Sequence, residues 1–133
     1  MAQVEIIHTG GTIGMVRGEN GFRPQAGLLE KSASDLFRAR NISVNIQLIT
    51  PLIDSANATP ADWNRITQTV VEAAQNSDGV IVTHGTDTMG FAAAALTLAL
   101  EGCPVAVILT GAMVPLSEPG SDGLGNLSFA LEA

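Results

Sequence analysis

The sequence predicts an α/β fold, a mostly parallel sheet flanked by helices on both faces. Three observations predict it. Strand-like and helix-like segments alternate along the 133 residues, the order of βαβ units. Three of the apolar strand runs lack a clean period of two, as expected of strands covered on both faces. The strand-like runs also end in junctions rich in glycine and hydroxyls, and in open parallel sheets ligands bind beyond such strand ends. One domain spans residues 1–133, long enough to bury a core.

Residues 4–8 form a short apolar run that ends in Thr9-Gly10-Gly11-Thr12. A polar stretch to Gly27, holding Gly14, Gly18, Gly21 and Pro24, reads as a mobile loop. Residues 28–40 carry Leu28, Leu29, Leu36 and Phe37 at helical spacing. Residues 42–49 alternate Ile42, Val44, Ile46 and Leu48 with polar partners, the pattern of a half-buried strand at a sheet edge. A loop covers 51–58. Thr59-Pro60-Ala61-Asp62 then opens a helix that runs to about Asn76: Thr59 caps, Pro60 suits the first position and Asp62 favours the dipole. Residues 79–83 are a β-branched strand, 88–100 an Ala- and Leu-rich helix stopped by Gly102 and Pro104, and 105–109 another buried strand. Residues 120–125 read as a second glycine loop before a last helix. That helix, in GNLSFALEA, shows no stop signal, which fits a natural short form or a piece of a longer chain. Crossovers between the strands are expected to be right-handed.

Hydrophobic residues make up 46% and charged residues 14%, a globular composition. The formal net charge of −7 argues against nucleic acid and anionic membrane surfaces as partners. Cys103 is the only cysteine and there are two histidines, so neither an internal disulfide nor a structural zinc site is expected. The longest apolar segment, 91–100, is shorter than the ~20 residues a bilayer span needs. No signal-peptide pattern opens the sequence. The expectation is a soluble cytoplasmic protein without a metal or cofactor.

Four strand ends carry the chemistry: Thr9-Gly10-Gly11-Thr12, Asp54-Ser55, Thr83-His84-Gly85-Thr86-Asp87-Thr88, and Thr110-Gly111-Ala112. If the sheet is parallel, these clusters converge on one edge. Glycines let backbone N–H groups approach a ligand, and helix starts add donors and partial positive charge. Such an edge holds a carboxylate or an oxyanion, the hydroxyls offer nucleophiles, and Asp87 offers a carboxylate to an ammonium group. The dinucleotide, P-loop and serine-elbow motifs are all missing, which leaves threonine as the most economical nucleophile. His8 and His84, at strand ends, read as structural histidines.

Two stretches resemble the signature segments of bacterial-type L-asparaginases: IIHTGGTIGM at 6–15 and THGTDTMGFAAAAL at 83–96. PLIDSANATPADW at 51–63 and VILTGAMVPLSEPGSDGLGNL at 107–127 resemble the same family, and the GGTIGM and TPADW forms are most similar to its cytoplasmic, type I-like branch. The resemblance implies the family's N-terminal domain, flavodoxin- or Rossmann-like, with the C-terminal domain absent. It implies hydrolysis of L-asparagine, and secondarily L-glutamine, through an acyl-enzyme, in a homo-oligomer. Thr12 matches the primary nucleophile, Thr86 the second catalytic threonine, and Asp87 the acid that binds the α-ammonium. Ser55, within the Asp54–Ser55–Ala56 turn, matches the residue that binds the α-carboxylate. Gly11, Gly85 and Ala112 fall where backbone lines the pocket.

The departures are specific. The chain has no tyrosine, and Phe22 stands in the neighbourhood of the family's loop tyrosine. The family's later lysine has no counterpart, since Lys31 is the only lysine. Ala56 replaces a polar residue. These departures favour an alternative from another class, an asparagine- or aspartate-binding module or fragment with little catalysis. An amide-processing domain of tRNA-linked amidotransfer shares the motifs as well.

Overall fold

A computed structural model describes residues Met1–Ala133. Strand β1 (Gln3–His8) leads through a short turn into a hairpin of β2 (Met15–Gly18) and β3 (Gly21–Pro24). Then follow α1 (Leu28–Ala39), β4 (Ser43–Leu48), α2 (Pro60–Ala73), β5 (Gly79–Thr83), α3 (Met89–Ala99), β6 (Ala106–Thr110) and α4 (Gly123–Glu132). The main sheet has the order β4-β1-β5-β6 and is parallel throughout. The chain therefore steps from β1 to β4 on one side and returns to β5 on the other. This reversal puts a crevice beyond the carboxyl ends of β1 and β5, where His8 pairs with Thr83.

The strand pleat divides the core in two. Ile6 and Ile81 face α1 and α4 and pack with Ile13, Leu29, Phe37 and Leu127. Ile7, Val80 and Val82 face the other way, onto Ile66 and Val70 of α2 and Leu96 of α3. Each such side chain, fully buried, contributes about 1.5–3 kcal/mol. The central strands carry adjacent apolar residues, Ile6-Ile7 in β1 and Val80-Ile81-Val82 in β5, because both of their faces are covered. β4 alternates because it lies at an edge, with Ser43, Asn45 and Gln47 exposed.

The start of α2 is a capping box. The Thr59 hydroxyl accepts from the Asp62 N–H, and the Asp62 carboxylate accepts from the Thr59 N–H. That N–H, with the Thr59 hydroxyl and Arg65, holds the Asp62 carboxyl below its ordinary pKa.

Two sequence expectations need correction. Residues 15–24 are a paired hairpin rather than a mobile loop. Met15–Gly18 and Gly21–Pro24 pair across a two-residue connection, and the strand signal was hidden by Gly18 and Gly21 on either side of it. Residues 123–125 belong to α4 rather than to a loop; Gly123 is there for close packing, since a Cβ on it would stand 2.7 Å from the Leu116 side chain, and not for a turn. No helix is long and apolar enough to cross a membrane. α3 is apolar almost all round, yet Phe91 is 68% and Leu98 81% exposed, and β6 beside it is an unpaired edge.

Candidate active site

Three strand ends meet in contact at the crevice. Gly11, at φ +93°, lies so close to the next junction that a Cβ there would sit 2.7 Å from the nitrogen and Cα of Gly85. A Cβ on Gly85 would in turn overlap the hydroxyl of Ser55. The junctions after β1 and β5 and the loop after β4 thus touch through atoms that only glycine leaves room for. Further bonds lock them: Ile53 N–H to the Thr9 carbonyl at 2.7 Å, the Thr9 hydroxyl to the Thr83 carbonyl at 2.8 Å, and the Thr88 hydroxyl to the Ser55 carbonyl at 2.7 Å.

Together they enclose a cavity of about 340 Å³, at the lower end of the ~300–1,000 Å³ typical of small-molecule sites. Thr12, Ser55, Thr86 and Asp87 line it, with Gly11, Gly85 and Asp54. Met15 and Pro24 bring the hairpin to its wall. None of the side chains of Thr12, Ser55, Thr86 or Asp87 has a hydrogen-bond partner in the protein. The N–H groups of Gly11, Thr12, Gly85, Thr86 and Asp87 likewise reach no protein acceptor. Thr86 and Asp87 are exposed, Thr12 is half-buried and Ser55 is buried.

Asp54 has a different disposition. Its carboxylate accepts from the Ala56 N–H at 3.2 Å and from Asn57 Nδ2 at 2.8 Å, which caps the turn that presents Ser55. Ala56 itself is exposed and outside the cavity. Ala112 also lies outside it, 2% exposed in the core under α1 and α4. The loop that carries Ala112 is tied by Asp122, whose carboxylate accepts from the N–H groups of Met113 and Val114; those bonds hold its pKa below the ordinary value.

Phe22 does not line the cavity. It is 45% exposed, and the Arg17 guanidinium stacks 5.3 Å from its ring centre while pairing with Glu118 at 3.0 Å. Lys31 is exposed on α1, and no lysine or arginine lines the cavity. No group of three or more His, Cys, Asp or Glu is arranged to hold a metal ion.

The two histidines part company. His84 is 1% exposed and stays out of the cavity; its Nδ1–H donates to the Gly85 carbonyl at 2.7 Å. His8 lines the cavity although only 5% exposed, with Nδ1 2.7 Å from the Thr83 hydroxyl. Burial lowers the His8 pKa and outweighs the upward pull of Glu30. Sequence reasoning passed over His8 and the bridging Thr88. The available signal was the pleat, since His8 shares a strand with Ile6 at a spacing of two and directly precedes the glycine junction.

The arrangement combines free hydroxyls, free N–H donors and one free carboxylate. It suits a small zwitterion with a polar side chain, and it suits acyl transfer through an oxygen nucleophile.

Comparison with known proteins agrees with the fold. The family model described as asparaginase, N-terminal, matches residues 3–133. L-asparaginase 1 of Escherichia coli is 40% identical over 131 residues, covering 96% of this chain and 39% of that protein. The crystal structure of L-asparaginase I from Vibrio cholerae superposes with a TM-score of 0.89 at 35% identity, covering 98% of this chain and 40% of that one. A probable cytoplasmic L-asparaginase from Campylobacter jejuni superposes at 0.78 with 30% identity, over 98% of this chain and 39% of that one. The chain thus spans about two fifths of the length of the relatives it matches.

Proposed function

The chain belongs to the asparaginase family, and from that premise we propose that residues 1–133 form its N-terminal α/β domain and carry an amide-hydrolysing site for L-asparagine, with L-glutamine as a weaker substrate. In this reading the Thr12 hydroxyl attacks the side-chain amide carbon. The C–N bond breaks, ammonia leaves, and water then hydrolyses the threonine ester to release aspartate. Thr86 assists proton transfer. Asp87 takes the substrate's ammonium, and Ser55 with neighbouring N–H groups takes its carboxylate. N–H donors of the Gly11 and Gly85 junctions meet the oxyanion, each such donor worth about 10²–10³ in rate.

One observation carries the reading. Four polar side chains from three distant junctions face one cavity, and none is satisfied by the protein. Buried Ser55 and half-buried Thr12 would ordinarily be paired, and with the exposed Thr86 and Asp87 beside them this unpaired, convergent set supports a ligand site. Ammonia release from L-asparagine, measured on the wild type beside Thr12→Ala and Thr86→Ala, tests it. The expected result is a loss of at least about 10²-fold in each variant. Equal rates in all three refute the threonine mechanism.

A second reading is supported by the lack of a tyrosine in the sequence and of a lysine beside Thr86, groups that would activate the threonines. It makes the chain an asparagine- or aspartate-binding module. Calorimetric aspartate binding without ammonia release at high protein concentration selects it. We place the protein in the cytoplasm and read it as a homo-oligomer. The likeness to a probable cytoplasmic relative supports the first point. The second is supported by the charge-free α3 with Phe91 and Leu98 exposed beside the unpaired β6 edge.

A further inference from the structure

We infer that Thr88 is a positioning residue of this site. Its hydroxyl holds the group that takes a ligand's carboxylate in register with the group that takes its ammonium, and so favours ligands that carry both on one carbon. The inference rests on the reading in which Ser55 meets the carboxylate and Asp87 the ammonium, and it names what keeps those two anchors at a fixed separation.

The anchors come from segments distant in sequence. Ser55 stands in the turn after β4, and Asp87 in the junction between β5 and α3. A single hydrogen bond joins those segments, from the Thr88 hydroxyl to the Ser55 carbonyl at 2.7 Å. Its direction is settled, because a carbonyl only accepts. Thr88 follows Asp87 in the chain and bonds the main chain of Ser55 itself, so the link between the two anchors is as short as the fold allows. The Ser55 Cβ and Oγ lie over Gly85, where an added Cβ would overlap them. Gly85 permits the close approach, and Thr88 holds it.

The bond takes Thr88 from its ordinary task. Thr88 stands at the head of α3, where a threonine hydroxyl normally accepts from an N–H of the first turn. Thr59 does so at the head of α2, accepting from the Asp62 N–H. Thr88 does not: α3 begins without a side-chain cap, and the hydroxyl reaches across to the Ser55 turn instead. That turn has other bonds to keep its shape. The Asp54 carboxylate accepts from the Ala56 N–H and the Asn57 amide, and the Ile53 N–H donates to the Thr9 carbonyl. What Thr88 adds is the placement of the turn against Asp87.

A ligand held at two points gains from anchors fixed beforehand, and one held at a single point gains little. Without the bond, the Ser55 turn keeps its form but shifts against Asp87, and ligands that use both anchors lose affinity. The substrate uses the same anchors before and during the reaction, so the loss falls on KM and spares kcat.

Thr88→Val, which keeps the shape and removes the hydroxyl, and Thr88→Ser, which keeps the hydroxyl, test this. In Thr88→Val the Kd for L-aspartate, read by calorimetry, should rise about threefold to tenfold, the size of one lost hydrogen bond. Succinate, which has no ammonium, should change less than about twofold. KM for L-asparagine should rise by the same factor as the aspartate Kd with kcat within about twofold, and Thr88→Ser should restore both. In a Ser55→Ala background, Thr88→Val should add less than about twofold, because Thr88 acts through that residue. An unchanged ratio of aspartate to succinate affinity in Thr88→Val, beside a wild type that prefers aspartate, overturns the inference and leaves the roles of Ser55 and Asp87 standing. A wild type that binds the two alike overturns the ammonium role of Asp87 instead. If Thr88→Val does not fold, Thr88→Ala takes its place; failure of both to fold beside a folded Thr88→Ser makes the hydroxyl a support of the fold and overturns the inference.

Discussion

Gly11→Ala tests whether the three junctions are truly in contact. Gly11 sits at φ +93° and ψ 172°, a region that is essentially glycine-only and costs other residues of order 1–3 kcal/mol. The added methyl would also stand 2.7 Å from the Gly85 nitrogen and Cα. Those are backbone atoms, next to His84 whose N–H donates to the Thr110 carbonyl, and they cannot swing aside as a side chain can, so the segments must separate, at about 1–3 kcal/mol for overpacking. Together the cost is about 2–6 kcal/mol, a large part of the ~5–15 kcal/mol that holds a domain together. At about 4 °C per kcal/mol for a chain of this size, the melting temperature falls by roughly 8–24 °C. Gly90→Ala is the control: it lies in α3 with nothing within 4 Å of an added Cβ, and should gain about 0.5–1 kcal/mol from helix propensity. Thermal unfolding by circular dichroism reads both, and calorimetry reads the weakened L-aspartate affinity of Gly11→Ala. A Gly11→Ala protein that melts within about 2 °C of the wild type and binds aspartate unchanged would show that the junctions do not meet as described.

Three further outcomes follow from the same geometry. Asp122→Asn removes the carboxylate that accepts from Met113 and Val114. Because the Asp122 pKa is lowered in the folded chain, its contribution is present above the ordinary aspartate value of about 3.9 and lost as pH falls through the folded value. The melting-temperature gap between wild type and variant should therefore be full at neutral pH and close in strong acid; a pH-independent gap refutes the role. Asp87→Asn should raise the Kd for L-aspartate about fivefold to tenfold while leaving succinate, which has no ammonium, nearly unchanged; equal losses on both ligands would remove the ammonium assignment. Phe91→Glu with Leu98→Glu places charge on the exposed face of α3, and sedimentation velocity should show an oligomer converted to monomer. An oligomer that survives both changes uses another surface.

The four strands of the main sheet and the edge place of β4 were largely legible because burial imposes a pattern. Residues 79–83 are continuously apolar since both faces of β5 are covered, and residues 42–49 alternate since β4 is an edge. The capping box at Thr59 and Asp62 was readable because it is local, with its partners three residues apart. The β2–β3 hairpin was not, since Gly18 and Gly21 speak for a loop in isolation. The hairpin pairs within residues 15–24, but the bonds from Arg17 to Glu118 and from Ser117 to the Met15 carbonyl that hold it are long-range contacts that no short window contains. The convergence of Thr12, Ser55, Thr86 and Asp87 was inferable from the parallel topology alone. The direction of single side chains was not. Ala112 turns into the core, and Asp54 folds back on its own turn. His8 reaches the cavity because Gly14 leaves space for its ring.

Charge separates the enzyme reading from the binding-module reading. A module built to hold aspartate needs cations for two carboxylates, yet the cavity offers none. Its charged side chains are Asp54 and Asp87, both negative, and its anion-directed groups are hydroxyls and N–H dipoles. Asparagine brings one carboxylate and one ammonium, which the Ser55 side and Asp87 can match. Hydrolysis turns the neutral amide into a second carboxylate in the same space. At about 6 Å from an existing carboxylate, in surroundings between water and a protein surface, that new charge is repelled by about 0.7–1.4 kcal/mol, or about threefold to tenfold in affinity. The cavity should thus hold substrate more tightly than product, which favours turnover over storage. The Thr12→Ala protein permits the comparison, because in the enzyme reading it loses the nucleophile and keeps the groups that bind asparagine. Calorimetry on that variant should give a Kd for asparagine about threefold to tenfold below that for aspartate, with the gap narrowing as pH falls and the product carboxylate protonates. Aspartate bound as tightly as asparagine, at neutral pH, would mean that the cavity is built for the acid, and the binding-module reading would replace the enzyme.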